Sequence, residues 1–313
     1  LVSSALIFTG CWDKVEIEDR AFVVAIGIDK AMDKDSLDEL EVVTIEPSVD
    51  SLENKSSDKM SYSKIGNGKT VSLALNRIDM YSSKRQYLGH TKVAILGEEI
   101  LKDPKMLSET LDGFQRNSEI SNKLLILATD KNIEKILDAK IKGEPMAGLF
   151  LSNFYQNREN NSGVTFKKDL DSVLEDTQLN NTTIIPKVSL EDKDLRLGGS
   201  AIIKDYRLLG WLDNKETRGY VWVNDNAKNT ELITKLDNID TTLLVESHKK
   251  KMNFKKLDND ILVANIDIDI SGSIKNYALG SKNLYNQNNL SKLENLYSKI
   301  VKSEINTTFR KLQ

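Results

Sequence analysis

The chain has 313 residues, which at about 100–200 residues per domain predicts two domains and leaves room for a third. Hydrophobic residues make up 39% and charged residues 29%, enough apolar material for real cores, so a wholly disordered chain is excluded. Lys plus Arg is 44 against 47 Asp plus Glu, a net charge of −3 with both signs interspersed, and this argues against nucleic-acid binding.

In chain order, the first feature is an apolar stretch over residues 1–8, too short to span a bilayer. It runs into Phe8-Thr9-Gly10-Cys11, an apolar residue and two small ones ahead of a cysteine. This pattern looks like the second half of a bacterial lipoprotein signal. The apolar region and the small-residue cleavage site are present, while no Met and no Lys or Arg precedes Lys14, so the chain is read as beginning inside its own signal. A signal peptidase needs small residues beside the bond it cuts, and the cysteine thiol is the group that takes the lipid. Free cysteines usually end as small core hydrophobes. Here the single cysteine of the chain falls at the cleavage position, so Cys11 is read as the lipid attachment site. With one cysteine, neither an intrachain disulfide nor a thiolate metal cluster can form.

Residues 21–28 are a continuous apolar run and predict a buried strand; residues 41–45 predict a second, ended by Pro47. Residues 50–69 are polar and predict a long exposed loop. Val71, Leu73, Leu75, Ile78 and Tyr81 mark a helix, followed by a strand at 93–96, a helix at 106–114, a strand at 124–128 and a helix at 133–137. Two more helices are expected around 147–155 and 166–174. After Asn180 the pattern changes to strands, at 183–185, 201–203, 220–223, 243–245 and 261–270. In the last of these Ile266, Ile268 and Ile270 alternate with Asp267 and Asp269, which predicts one buried and one wet face. A long helix closes the chain, with a capping box from Ser291 to Glu294 and a stripe through Leu293, Leu296, Ile300, Glu304, Ile305, Phe309 and Leu312 that should bury against the sheet holding 261–270. The expected fold class is α+β, multi-domain, with mixed β-sheets and packed helices and a C-terminal domain of antiparallel strands plus a long helix. The boundary is placed in the charged stretch 191–196.

Gly66-Asn67-Gly68-Lys69-Thr70 imitates the end of a phosphate-binding loop, but Ser63 stands where the motif's first glycine belongs and no apolar strand precedes it. A loop running into a helix cap at Thr70 is the better reading. The two histidines, His90 and His248, are far apart, which leaves the commonest general base nearly absent; His90 reads as a turn histidine. Asp267 and Asp269 could hold a cation or do acid–base work, yet their alternation with isoleucines favours a solvated strand face. Trp211 and Trp222 read as core residues before they read as a ligand cage. Lys249, Lys250 and Lys251 form a basic run of the kind that usually edges a solvated surface. No cofactor is expected.

Several segments together resemble a known family. Gly10-Cys11-Trp12-Asp13 leads into Glu16-Ile17-Glu18-Asp19-Arg20-Ala21 and then Ala25-Ile26-Gly27-Ile28-Asp29. Tyr87-Leu88-Gly89-His90-Thr91-Lys92-Val93, Arg116-Asn117-Ser118-Glu119-Ile120, Gly198-Gly199-Ser200-Ala201 and Glu216-Thr217-Arg218-Gly219 follow in order. The pattern is similar to the Ger(x)C lipoproteins, the C subunits of the nutrient germinant receptors of endospore-forming bacteria, and runs from about residue 10 to the end. The resemblance implies a non-enzymatic lipoprotein subunit of a germinant receptor, with a scaffold or coupling role in germination. It implies membrane-embedded A and B subunits as partners, contact with membrane lipid through acylated Cys11, and a place on the outer face of the spore inner membrane. The domains expected are a partial signal peptide at 1–10, an N-terminal region at 11–190 with room for two subdomains, and a C-terminal domain at 197–313. Members of the family usually continue past the closing helix into further strand, so the chain is read as a fragment at both ends. The rival reading, a solute-binding lipoprotein capturing a small nutrient, needs two similar lobes, and these halves are unlike. An exported hydrolase needs a catalytic constellation that the sequence does not single out.

Overall fold

The computed structural model describes residues 16–31, 40–48, 61–157, 163–225, 227–256, 262–277 and 286–313. Cys11 and the rest of the segment read as a lipoprotein signal lie outside the described residues, as does the 50–60 part of the expected loop.

An eight-stranded mixed sheet forms the first and larger layer system. Its strands are β2 (Ala25–Lys30), β3 (Leu40–Pro47), β4 (Ser61–Gly68), β6 (Val93–Leu96), β7 (Leu125–Ala128), β8 (Thr182–Glu191), β9 (Asp194–Lys204) and β10 (Arg207–Leu212). In space the order is β10-β9-β8-β7-β6-β2-β3-β4, with β2, β6, β7 and β8 mutually parallel and an antiparallel hairpin arm at each end. β1 (Arg20–Phe22) and β5 (Arg85–Tyr87) form a separate two-stranded parallel ribbon.

Helices cover both faces, which is why the central strands are uninterrupted apolar runs. One face packs Ile26, Ile28, Ala94, Leu96, Ile126 and Ala128 against α1 (Val71–Met80), α2 (Glu98–Lys102), α3 (Pro104–Arg116) and α6 (Leu170–Asn180). The other packs Ala25, Val43, Ile45, Val93, Ile95, Leu125 and Leu127 against α4 (Ile133–Leu137) and α5 (Ala147–Asn157). Gly27 belongs to this second face, and a Cβ there would lie 2.0 Å from Ile133 Cγ2.

Beyond the sheet, α7 (Asn214–Asn224) leads into a three-stranded antiparallel sheet in the order β11-β12-β13, made of β11 (Glu231–Leu236), β12 (Ile239–Lys256) and β13 (Leu262–Tyr277). The closing helix α8 (Gln287–Leu312) lies on it. A third core joins Leu232, Val245, Ile266, Ile268 and Ile270 of this sheet to Leu293, Tyr297 and Val301 of α8 and to Trp222 of α7. Ile184 and Ile202 of the large sheet enter the same core, so the two units share a wall. The stretch 191–196 is the turn of the β8–β9 hairpin, and the large sheet runs through it into β10. That turn is tight: Asp192 and Lys193 take φ of 48° and 80°, the left-handed pair that matches strand twist.

Four expectations are corrected. Residues 61–68 are a strand, β4, not part of a loop. The segment is an edge strand, so it lacks the apolar run of a central one, and its Gly66 and Gly68 sit where α1 approaches; a Cβ at Gly66 would lie 2.4 Å from the Ala74 carbonyl oxygen. Residues 220–223 lie in α7, because Asp213 and Glu216 close a reciprocal capping box and an apolar window that short reads the same in either structure. The helix expected at 166–174 starts at Leu170, capped by Asp169; the residues before it bond to β7, with Ile126 N donating to Lys168 O at 2.9 Å. The closing helix starts at Gln287 under Asn286, one turn ahead of Ser291. Its buried line is Leu293, Tyr297, Val301, Glu304 and Thr308, with Phe309 and Leu312 exposed.

Candidate functional site

The first described residues enter the fold at one corner. A short 3-10 turn, Ile17–Asp19, delivers the chain into β1, which pairs with β5 as Arg20 with Arg85, Ala21 with Gln86 and Phe22 with Tyr87. The backbone continues the clasp: Val23 N donates to Tyr87 O at 3.1 Å, and Lys92 N donates to Val24 O at 2.8 Å. Thr91 Oγ1 donates to Val23 O at 3.2 Å. Three rings close over it, Phe22 and Tyr87 at 5.7 Å, Phe22 and His90 at 5.2 Å, Tyr87 and His90 at 5.8 Å, all edge-on, and the Arg20 guanidinium stands 4.4 Å from the Tyr87 ring centre. Glu119 holds the corner from the other side: its carboxylate accepts from Leu88 N at 2.9 Å while Ile120 buries in the first core. Three segments far apart in sequence thus build one anchorage for the incoming chain. His90 is the expected turn histidine, at the end of the 3-10 turn Leu88–His90, fixed by ring contacts.

Asp29, the last residue of the Ala-Ile-Gly-Ile-Asp run, closes a second junction. It accepts from Lys30 N at 2.8 Å and from Ile100 N at 2.9 Å, so it caps α2 from a neighbouring strand. A Cβ at Gly97 would lie 2.1 Å from its Oδ2. Burial raises its pKa above the usual carboxylate value against these two donors.

The third junction ties α7 to α8. Arg218 bonds Glu304 through both prongs of its guanidinium, Nε at 2.9 Å from Oε2, and Trp222 Nε1 donates to the same carboxylate at 3.0 Å. Glu304 is 7% exposed, so the pair is closed to water on the acid side. Gly219 lets the helices touch: a Cβ there would lie 2.1 Å from Thr308 Oγ1 and 2.5 Å from the Glu304 carbonyl oxygen. The stripe reading picked Glu304 out; its partner Arg218, one helix away, carried no signal beyond its place in the family pattern.

The remaining candidates are placed as follows. Trp222 is fully buried, and Trp211 is half-buried with Lys187 Nζ 4.6 Å from its ring centre. Lys249 and Lys251 stand opposite Asp269 and Asp267 in the β12–β13 ladder, so the basic run and the acidic pair face each other across strands, while Lys250 turns back to donate to Val223 O at 2.7 Å. Gly66, Asn67 and Gly68 belong to β4 and Thr70 caps α1, accepting from Leu73 N. Among the described residues no group of three His, Cys, Asp or Glu is arranged to hold a metal ion, and no helix is long and apolar enough to cross a membrane. The polar side chains at these three junctions hold segments together.

The comparisons with known proteins divide the chain within the large sheet. The family of the spore germination protein N-terminal domain matches residues 13–190, and that of the spore germination B3/GerAC-like C-terminal domain matches residues 198–313, changing over at the β8–β9 turn. These matches define a spore germination protein built of two joined domains. The chain belongs to the Ger(x)C family, the C subunits of spore germinant receptors. Spore germination protein KC of Bacillus subtilis (strain 168) is 23% identical over 336 residues, covering 100% of this chain and 82% of the relative. Spore germination protein A3 of the same organism is 26% identical over 204 residues, which span 64% of this chain and about half (52%) of that protein's length. The crystal structure of the GerBC protein shares the fold, with a TM-score of 0.56 at 18% identity over 93% of this chain and 83% of the other.

Proposed function

We propose that the chain is the membrane-anchored lipoprotein subunit of a spore nutrient germinant receptor, acting as a non-enzymatic scaffold that couples membrane-embedded A and B subunits on the outer face of the spore inner membrane. The observation that carries this reading is the run from the lipobox cysteine into the clasp. Cys11 stands nine residues before Arg20, and the chain from Arg20 onward is locked by the pairing of β1 with β5 and by Tyr87 and His90. A lipid on Cys11 would therefore tether the chain within nine residues of a built corner of the fold. Acyl chains contribute about 0.8 kcal/mol per buried methylene, so a multiply acylated cysteine holds firmly without a membrane span. The mixed, unlike units and the family membership support a scaffold over a two-lobed solute trap.

The test is Cys11→Ala in the native host, with fractionation and N-terminal mass analysis of the spore membrane. The expected result is an unprocessed precursor or a soluble protein, together with loss of the A and B subunits from the detergent-solubilised complex that the native chain brings down. A variant that stays on the membrane with a cleaved N-terminus overturns the anchor.

A further inference from the structure

Beside the clasp, three lysines from three separate segments converge on a cavity of about 200 Å³. Lys92 precedes β6, Lys123 precedes β7 and Lys167 precedes α6; between them the wall carries Ser121, Ser152 and the backbone of Gly89. Lys123 Nζ lies 3.2 Å from Asp169 and 3.7 Å from Asp171, and Asp169 is already engaged as the cap of α6, accepting from Ser172 N and Oγ. Lys92 and Lys167 are exposed and make no ion pair among the described residues. The cavity is thus lined by two lysines without an ion pair and by the hydroxyls of Ser121 and Ser152, a donor set that suits a tetrahedral phosphate.

Its position supplies the occupant. Thr91 and Lys92 of the wall bond the incoming N-terminal segment at Val23 and Val24. Arg20, where that segment locks, is nine residues from Cys11 (20 − 11 = 9), and nine extended residues reach at most ~30 Å. On the reading of Cys11 as the anchor, on which this step rests, the cavity is kept within reach of the headgroup layer. We propose that Lys92, Lys123 and Lys167 bind the phosphate of an anionic phospholipid headgroup. A lipid chain alone lets the domain pivot about one point; a headgroup held at the clasp makes a second point and fixes how the large sheet stands on the bilayer.

The experiment uses a chain from Trp12 to Gln313, which keeps every described element and carries no lipid, so its result does not depend on the anchor. Its partitioning onto vesicles of phosphatidylcholine, with and without phosphatidylglycerol, is compared with that of Lys92→Ala/Lys167→Ala and of a control, Lys215→Ala/Lys299→Ala, in the C-terminal unit. Roughly fivefold is expected per lysine at an anionic surface, so the first pair should weaken binding about 25-fold and the control should not. Inorganic phosphate and glycerol 3-phosphate, titrated while the amide signals of Ser121 and Ser152 are followed, should bind weakly at the same place. Binding of free phosphate without any preference for phosphatidylglycerol vesicles would assign the cavity to a soluble anion and overturn the headgroup. No binding of either, or an equal loss in both pairs, overturns the site altogether. If native Cys11 proves unacylated while the lysine-dependent vesicle binding persists, the anchor falls and the headgroup site stands.

Discussion

The two units solve burial in different ways. In the large sheet, β2, β6 and β7 are covered on both faces, so Ile26, Ile95 and Leu127 are all fully buried whichever way they point. In the small sheet only one face is covered, and Ile266, Ile268 and Ile270 pack into the core it shares with α7 and α8 while Asp267 and Asp269 stay in water. The first unit tucks small polar pairs among its apolar side chains, such as Thr44 Oγ1 donating to Gln86 Oε1 at 2.9 Å; the second is completed by the Arg218–Glu304–Trp222 junction that joins α7 to α8. A half-covered sheet has less apolar area to spare than one covered on both faces, and the setting of α8 against α7 rests on directional bonds.

The sharpest way to break this contrast is to remove one charge of the junction. Glu304→Leu leaves the Arg218 guanidinium and the Trp222 N–H without their acceptor, and the expected loss is about 3–5 kcal/mol, confined to hydrogen-exchange protection in β11 to β13 and α8. Arg218→Met together with Glu304→Leu should recover much of it. If the large sheet melts in the same transition, the units fold as one and the contrast is wrong.

Next in size are the glycines at the two close approaches. Gly219→Val drives a branched side chain into the α8 backbone and should cost about 3 kcal/mol, whereas Gly27→Val meets the movable Ile133 side chain and should cost less. Thermal unfolding of the two variants decides the order, and the reverse order would show that the large core gives less than the helix pair.

The smallest effect is in the pH response, where Asp29 of the large unit and His248 of the small one should act with opposite signs. Burial first, then neighbouring Glu99, raises the Asp29 pKa above its ordinary 3.8 while the Ile100 and Lys30 amides oppose it. The folded chain then holds that proton more tightly, so between 3.8 and the raised value this group's contribution to stability falls as pH rises. Burial lowers the His248 pKa below 6.5, with Lys250 adding to it and the Trp222 backbone and Asp225 opposing. The unfolded chain holds that proton more tightly, so just below 6.5 stability rises with pH. Asp29→Asn should flatten the first slope and His248→Gln the second, measured by urea unfolding across pH. Slopes unchanged by both variants would remove titration as a difference between the units.

Much of this was legible in the sequence. The strand at 93–96 and the helices from Val71 and Ala147 follow from local pattern, since an apolar run bounded by turns or an apolar face at helical spacing has one way to bury itself. The alternation at 266–270 announced its one wet face for the same reason. β4 was not legible, because an edge strand against a helix needs glycine and polar residues and so looks like a loop. Nor was α7 at 220–223, where a buried helix and a buried strand share one short apolar window and the capping box three residues ahead was the deciding signal. Family membership came from ordered short motifs, but their purpose did not. That Phe22, Tyr87, His90 and Glu119 meet, that Asp29 caps a helix that begins near Ile100, and that Lys92, Lys123 and Lys167 share one cavity are facts of contact between distant segments. Local pattern records which face of an element is apolar; which polar residues of other elements then stand within bonding distance is set only when the sheet order and the helix crossings bring them together.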